Sequence, residues 1–335
     1  MGKSRYAIIG AGLAGAECAL TLNRLGIQTT LFEQKPDYRS AAHASDSLAE
    51  LVCSNSLRSD ILESGPGLLK REARLLGSFM MKAADMARVP AGKSLAVDRE
   101  AFSENLTREI MAAANITLVR KKIESLDDEE LREKGEKGII VACGPMGDAA
   151  LVESIARVAG KEHCYFYDAI APIVWSESLD RGKIFRASRY DDGEGDYLNA
   201  PMNREEYERF VEALVGGKTF AAREFEDEKH FEGCMPIEAL AKRGAETLAH
   251  GPLKPVGLID PATGRRPWAV LQLRPETNNL SACNLVGCQT KLLRPEQERI
   301  FRLVPGMENA EFARFGSMHR NVYVNAPEAL ASDLS

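Results

Sequence analysis

Two cysteines stand in irregular, polar stretches where a thiol could do chemistry. Cys53 lies in Glu50-Leu51-Val52-Cys53-Ser54-Asn55-Ser56-Leu57-Arg58, and Cys234 lies in Phe231-Glu232-Gly233-Cys234-Met235-Pro236, between a glycine and a proline two residues on. A cysteine on partly exposed loop backbone can be activated as thiolate by a nearby Lys, Arg or helix N-terminus and then act as a nucleophile. Cys18 and Cys143 fall in apolar element interiors and read instead as small buried hydrophobes. The seven cysteines, at 18, 53, 143, 164, 234, 283 and 288, include no Cys-x-x-Cys pair. That disfavours a disulfide framework and the commonest zinc spacings, so thiols and no metal site are expected.

The second constellation is Gly10-Ala11-Gly12-Leu13-Ala14-Gly15 with Glu33. The apolar run Tyr6 to Ile9 precedes it, and Ala16, Ala19, Leu20, Leu22 and Leu25 follow at helical spacing, which predicts strand, turn and helix. Gly26 suits a left-handed helix end, and Gln28 to Phe32 reads as a second strand closing on Glu33. In that context Gly10 permits the tight turn and Gly12 lets backbone approach a pyrophosphate at the helix N-terminus. Gly15 lets the helix pack closely on the strand, and Glu33 stands where an acid would hold a ribose hydroxyl. The motif points to a dinucleotide without choosing between FAD and NAD.

The elements that must position these groups fill a chain of 335 residues, long for one compact domain, so two lobes are expected. Helical patterns span about Ile61 to Ala87 and break at Val89-Pro90-Ala91-Gly92. Asp98 suits an N-cap for a helix carrying Phe102, Leu106, Ile110 and Met111, and Ile116 to Val119 reads as a strand. The charge run Asp127 to Lys137 reads as solvated surface. Gly138 to Pro145 is a buried-type strand returning to a parallel sheet. From about Cys164 strand formers dominate, with one clear helix near Glu205 to Val215. A net charge of −6 gives no global attraction to nucleic acid. Residues 231 to 335 carry 12 basic and 11 acidic residues, net +1 against −7 before them, with Lys291, Arg294, Arg299, Arg302, Arg314 and Arg320 among the bases. No run of about 18 apolar residues or secretory signal is seen, so a cytoplasmic protein without a membrane span is expected.

Several segments, in order along nearly the whole chain, closely resemble the folate- and FAD-dependent tRNA (uracil-5-)-methyltransferases. They are Gly10 to Gly15, Ala49 to Arg58, Val89 to Gly92 with Ala96-Val97-Asp98-Arg99, Phe231 to Pro236, Gly251-Pro252-Leu253-Lys254-Pro255-Val256-Gly257-Leu258 and Met318-His319-Arg320-Asn321. The resemblance implies an α/β fold: a Rossmann-like FAD-binding lobe, a parallel sheet flanked by helices, and a second, more antiparallel α+β insertion lobe. The expected division is 1–160 for the FAD lobe, 161–280 for the insertion lobe and 281–335 returning toward the FAD lobe.

It also implies that 5,10-methylenetetrahydrofolate supplies a carbon to C5 of a T-loop uridine in tRNA, giving 5-methyluridine. Reduced FAD would supply electrons and NAD(P)H would reduce the flavin. Uracil C5 is a poor nucleophile until something adds at C6, an addition suited to a thiolate. By resemblance Cys234 attacks the uracil. Cys53 sits near the flavin, assisting proton removal at C5 or stabilising the reactive flavin adduct. Gly10, Ala11, Gly12, Leu13, Ala14 and Gly15 would hold FAD with Glu33, and Arg58, His319, Arg320 and Asn321 are candidates for folate or RNA contact. A paralogous 23S rRNA uracil-5 methyltransferase would carry the same equipment, and monomer and homodimer are equally compatible.

The family pattern continues past Asn325-Ala326-Pro327 through a strand, a Gly-Gln turn and a glycine-rich helix start on the flavin side, whereas this sequence stops at Ser335. From this the sequence carries an expectation of a truncated FAD lobe with less than one flavin per chain. A non-catalytic remnant that keeps the fold is the alternative. A third reading makes Cys53 and Cys234 the redox pair of an FAD-dependent thiol oxidoreductase.

Overall fold

The first apolar run forms strand β1 (Arg5–Ile9), and the periodic stretch behind it forms helix α1 (Leu13–Arg24). In this computed structural model, which describes residues 5–40, 43–145, 147–159, 164–189, 195–220, 235–323 and 329–332, β2 (Gln28–Glu33) lies parallel to β1 with Leu31 opposite Ile8. Gly26 turns the chain between them with a φ of 72°, the left-handed conformation a residue without Cβ adopts readily. Strand β3 (Ser56–Ser59), helices α2 (Gly65–Leu75) and α3 (Phe79–Met86), and strands β4 (Arg88–Val89) and β5 (Ser94–Val97) follow. In this stretch β5 pairs antiparallel with β3 and β4. That small sheet is not evident in the sequence, because strands of two to four residues show no period and Pro90 reads only as a break.

Helix α4 (Arg99–Ala112) starts where Asp98 accepts the N–H groups of Glu100 and Ala101, both at 3.1 Å. Phe102, Leu106 and Ile110 are buried as their spacing predicts. Met111 is not: it lies one residue off that stripe and is exposed. Strand β6 (Ile116–Arg120), helix α5 (Glu129–Lys134), strand β7 (Gly138–Val141) and helix α6 (Ala149–Ala159) complete this half. The parallel sheet has the order β6-β2-β1-β7. Helix α5 lies inside the charge run and buries only Leu131.

The second half holds β8 (Cys164–Ile170), β9 (Ile173–Trp175), β10 (Phe185–Ala187), β11 (Tyr197–Met202), α7 (Arg204–Gly216), α8 (Ile237–Ala241) and α9 (Thr247–His250). It continues with β12 (Ala269–Pro275), β13 (Ala282–Leu285), α10 (Arg294–Phe301), β14 (Phe312–Arg314) and β15 (Ser317–Tyr323). An antiparallel sheet runs β10-β11-β12-β13-β9-β14, and β15 pairs with β8. The expected mixed α/β architecture is thus present. The short helices α8, α9 and α10 escape a reading by periodicity, since four to eight residues hold too few turns to show a stripe.

The period of two along these strands sorts their side chains. Leu271 and Leu273 of β12, Leu198 and Met202 of β11, and Cys283 and Leu285 of β13 enter an apolar core with Tyr207, Phe210 and Leu214 of α7 and Phe301 of α10. Each large side chain fully buried there contributes roughly 1.5–3 kcal/mol. The alternate positions Asn199, Gln272, Arg274 and Asn284 are also buried, and Gln272 Nε2 donates to Asn199 Oδ1 at 3.0 Å. They form a polar face, and Arg274 carries it to the segment around Cys53.

Candidate functional site

Helix α1 opens onto a cleft of about 500 Å³, lined by Gly10, Gly12, Leu13, Ala14 and Glu33 together with His43, Glu50, Val52 and Cys143. Gly10 has a φ of 97°, and a Cβ there would lie 2.6 Å from the carbonyl oxygen of Ala142. A Cβ on Gly15 would come within 1.9 Å of the Gly10 oxygen, so Gly15 is needed for contact with the turn itself. Gly12 differs: a Cβ there would meet nothing within 4 Å. The protein's own packing leaves that side of Gly12 open, as a cradle for a pyrophosphate at the N-terminus of α1 would be. The residues present therefore fit a dinucleotide.

Glu33 is buried at the end of β2. Its Oε2 accepts the Ala11 N–H at 3.0 Å and its Oε1 the Lys35 N–H at 3.0 Å. One carboxylate thereby fixes the glycine turn to the second strand while Glu33 lines the cleft. Below it, Lys35 Nζ reaches Glu50 Oε2 at 3.3 Å, and Glu50 also accepts the N–H groups of Ala44 at 2.7 Å and Ser45 at 3.3 Å. Burial opposes ionisation of Glu50. The Ala44 N–H, the Lys35 charge and the Ser45 N–H outweigh it and hold the carboxyl below its usual range. His43 is held low by burial and by Lys35, against the pull of Glu50 and Glu33.

Cys143 departs from expectation. Strand β7 ends at Val141, so Cys143 lies beyond the strand and lines the cleft, and burial pushes its thiol up. Cys53 is half-buried and follows Val52, which lines the same cleft. Two guanidinium groups grip its segment. Arg99, the first residue of α4, donates to the carbonyls of Leu51 at 2.7 Å and Cys53 at 3.4 Å and pairs with Glu276 at 2.6 Å. Arg274, from the polar face of β12, donates to Asn55 Oδ1 and Ser54 Oγ, each at 2.9 Å. Asn55 in turn donates to the carbonyls of Val97 at 3.1 Å and Pro275 at 3.0 Å. Arg274 is held below its usual range by burial, which Glu276 and Cys53 oppose. Arg314 is lowered by burial and Arg99, with Glu50, Glu276 and Cys53 opposing. Guanidinium groups thus gather around the Cys53 segment, with the Glu276 carboxylate among them.

Arg58 is exposed on β3 with a φ of 67°, where the β3–β5 register shifts. His319, Arg320 and Asn321 fall on β15 opposite Asp168, Tyr167 and Phe166 of β8; their side chains lie outside the described residues. Cys234 also lies outside them. The structure therefore brings the glycine turn, Glu33 and the residue preceding Cys53 to one cleft and leaves Arg58 on the surface. Arg274 and Glu276 are the additions that sequence reasoning missed, and Arg99, quoted there only within its resembling segment, joins them at the site. Asn55 lies in a segment singled out for its resemblance, but its partner is 219 residues away.

A family model described as glucose inhibited division protein A matches residues 5–335. A methylenetetrahydrofolate–tRNA-(uracil-5-)-methyltransferase TrmFO of Nitratidesulfovibrio vulgaris Hildenborough is 58% identical over 331 residues, covering 98% of this chain and 69% of that protein. The TrmFO of Lawsonia intracellularis is 57% identical over 336 residues, covering 100% of this chain and 75% of its own. Among solved structures, Aquifex aeolicus GidA in two crystal forms matches with TM-scores of 0.64 and 0.66 at 14% and 15% identity, a likeness of fold. The match covers 96% of this chain but only 56% and 58% of the GidA chains.

Proposed function

This chain belongs to the TrmFO family, within the wider glucose inhibited division protein A family, and from that membership we propose that it methylates C5 of a T-loop uridine in tRNA. The carbon comes from 5,10-methylenetetrahydrofolate, the cofactor is FAD, NAD(P)H is the reductant, and the setting is cytoplasmic. Similarity to TrmFO along 98% of the chain is the observation that carries this reading.

Gly10, Ala11, Gly12, Leu13, Ala14 and Gly15 would hold the FAD pyrophosphate at the N-terminus of α1, and Glu33 would take the adenosine ribose. When bound, the reduced flavin supplies the electrons that bring the transferred carbon to the methyl level. Cys234 adds as thiolate to C6 of the uracil, which places negative charge at C5 and makes that carbon nucleophilic. Cys53, seated between Arg99 and Arg274, removes the C5 proton after transfer; loss of that proton and elimination of Cys234 restore the C5–C6 double bond. Arg58, His319, Arg320 and Asn321 serve folate and RNA contact.

The test is methyl transfer to unmodified tRNA by Cys234→Ala. Alanine cannot add to C6, so activity falls to background while circular dichroism and flavin absorbance hold. Methylation at the wild-type rate would remove the assignment.

A further inference from the structure

A second concavity, of about 850 Å³, lies at the other end of the antiparallel sheet. The Cys53 segment meets β12 at Arg274 through Ser54 and Asn55, whereas this groove lies at Trp268, the residue just before that strand. Six residues at about 3.3 Å each put the two roughly 20 Å apart along the strand. The loop before β10, the start of α7 and the tight turn at 260–265 form its walls.

Its charge is unlike that of the chain. Five bases line it, Arg181, Lys183, Arg204, Arg265 and Arg266, against two carboxylates, Asp260 and Glu206, in a protein of net charge −6. Both carboxylates are engaged in local structure. Asp260 accepts the Ala262 N–H at 2.9 Å and the Thr263 hydroxyl at 3.2 Å within its own turn. Glu206 accepts the Asn203 N–H at 2.8 Å in the capping box of α7. Lys183 pairs with Glu308 at 2.6 Å and Arg204 with Glu208 at 2.8 Å. Arg181, Arg265 and Arg266 are exposed and make no ion pair among the described residues.

The turn that presents Arg265 and Arg266 is fixed by the Asp260 carbonyl, which accepts the Gly264 N–H at 2.8 Å, and by a positive φ of 66° at Gly264. Beside it Trp268 is 38% exposed, with the Arg204 guanidinium 5.1 Å from its ring centroid. Guanidinium groups without carboxylate partners next to an arginine–tryptophan stack combine the two means by which proteins hold RNA, phosphate neutralisation and stacking on a planar group.

We propose that this groove is a second RNA-docking site, in which Arg181, Arg265 and Arg266 take backbone phosphates and the Arg204–Trp268 pair supports a base or ribose. This rests on the reading of the chain as a tRNA-modifying enzyme. The distance is compatible with a single RNA: the separation of roughly 20 Å falls within the length of one A-form duplex arm. The groove then contributes affinity and register while the thiol end selects the uridine.

The experiment measures binding of an unmodified tRNA transcript by fluorescence anisotropy from 50 to 300 mM KCl. It compares the purified chain, Arg265→Glu/Arg266→Glu, Trp268→Ala and the charge-matched control Arg132→Glu/Lys134→Glu. The Arg265/Arg266 variant should bind at least tenfold more weakly, with a salt slope shallower by about 2. Trp268→Ala should weaken binding about tenfold at an unchanged slope. The control should bind within twofold of the unaltered chain. Equal affinities and slopes for all four proteins overturn the groove alone. Failure of the unaltered chain to bind tRNA overturns the underlying reading and the groove with it. A matched loss in the control shows net charge, not the groove, to be responsible and also overturns it.

Discussion

Arg274 and Asn55, 219 residues apart, share a hydrogen bond of 2.9 Å that joins the polar face of β12 to the Cys53 segment. Neither is exposed, and the guanidinium takes its hydrogen-bond acceptors from Asn55, Ser54 and Asn284.

Removing one side of that pair should matter more than removing the other. Asn55→Ala leaves a buried cation short of an acceptor and two carbonyls without donors, and should lower stability by about 2–3 kcal/mol. Arg274→Met leaves only neutral groups unsatisfied and should lower it less. Urea midpoints of the two variants at equal m-value check the order.

Gly12 and Gly15 should part company in the same assays. Gly15→Ala places a methyl 1.9 Å from the Gly10 oxygen, so both melting temperature and bound flavin should fall. Gly12→Ala meets open space in the protein and should stay within about 0.5 kcal/mol of the parent in stability. Its flavin content, read at 450 nm, should drop.

The acid limb of stability should depend on Glu50. Its carboxyl is lower in the folded chain than its ordinary value of 4.5, so the unfolded chain takes up the proton first. Its contribution is present above about pH 4.5 and is lost as the pH falls through the folded value. Glu50→Gln should flatten the fall in stability below that point and reduce it above, as urea titrations between pH 3 and 7 would show.

Among the described cysteines, iodoacetamide should reach Cys53 first. Burial pushes the thiols of Cys18, Cys143, Cys283 and Cys288 up, and the last two are fully buried. Peptide mapping at pH 7.5 should find Cys283 and Cys288 modified only after denaturation, and Arg274→Met should slow labelling of Cys53.

What could be read in advance was what neighbouring residues decide between themselves. The Asp98 cap, the left-handed Gly26 and the buried row Phe102, Leu106, Ile110 need only sequence a turn or two away, and the glycine cradle with Glu33 follows from one strand–turn–helix unit. Strand β3 exists because β5 pairs with it from far along the chain, β4 and β5 form a hairpin too short to show a period, and Cys143 faces the cleft because β7 stops two residues before it. The arginines around Cys53 were hidden for a further reason. Arg274 sits in a strand with apolar neighbours, and only the alternation of β12, once paired, shows which face it joins.

One stretch of chain clasps the two sheets together at several points. Arg99 grips Glu276, Asn55 holds the Pro275 carbonyl, the Gly92 N–H donates to Asp196 at 2.6 Å, and the Tyr197 hydroxyl reaches the Ala91 carbonyl at 3.0 Å. A hinge opening between the halves would have to break all of these at once. Under the proposed reaction the burden of movement therefore falls on the nucleic acid: the target nucleoside must swing out of its stack to reach the cleft beside Cys53.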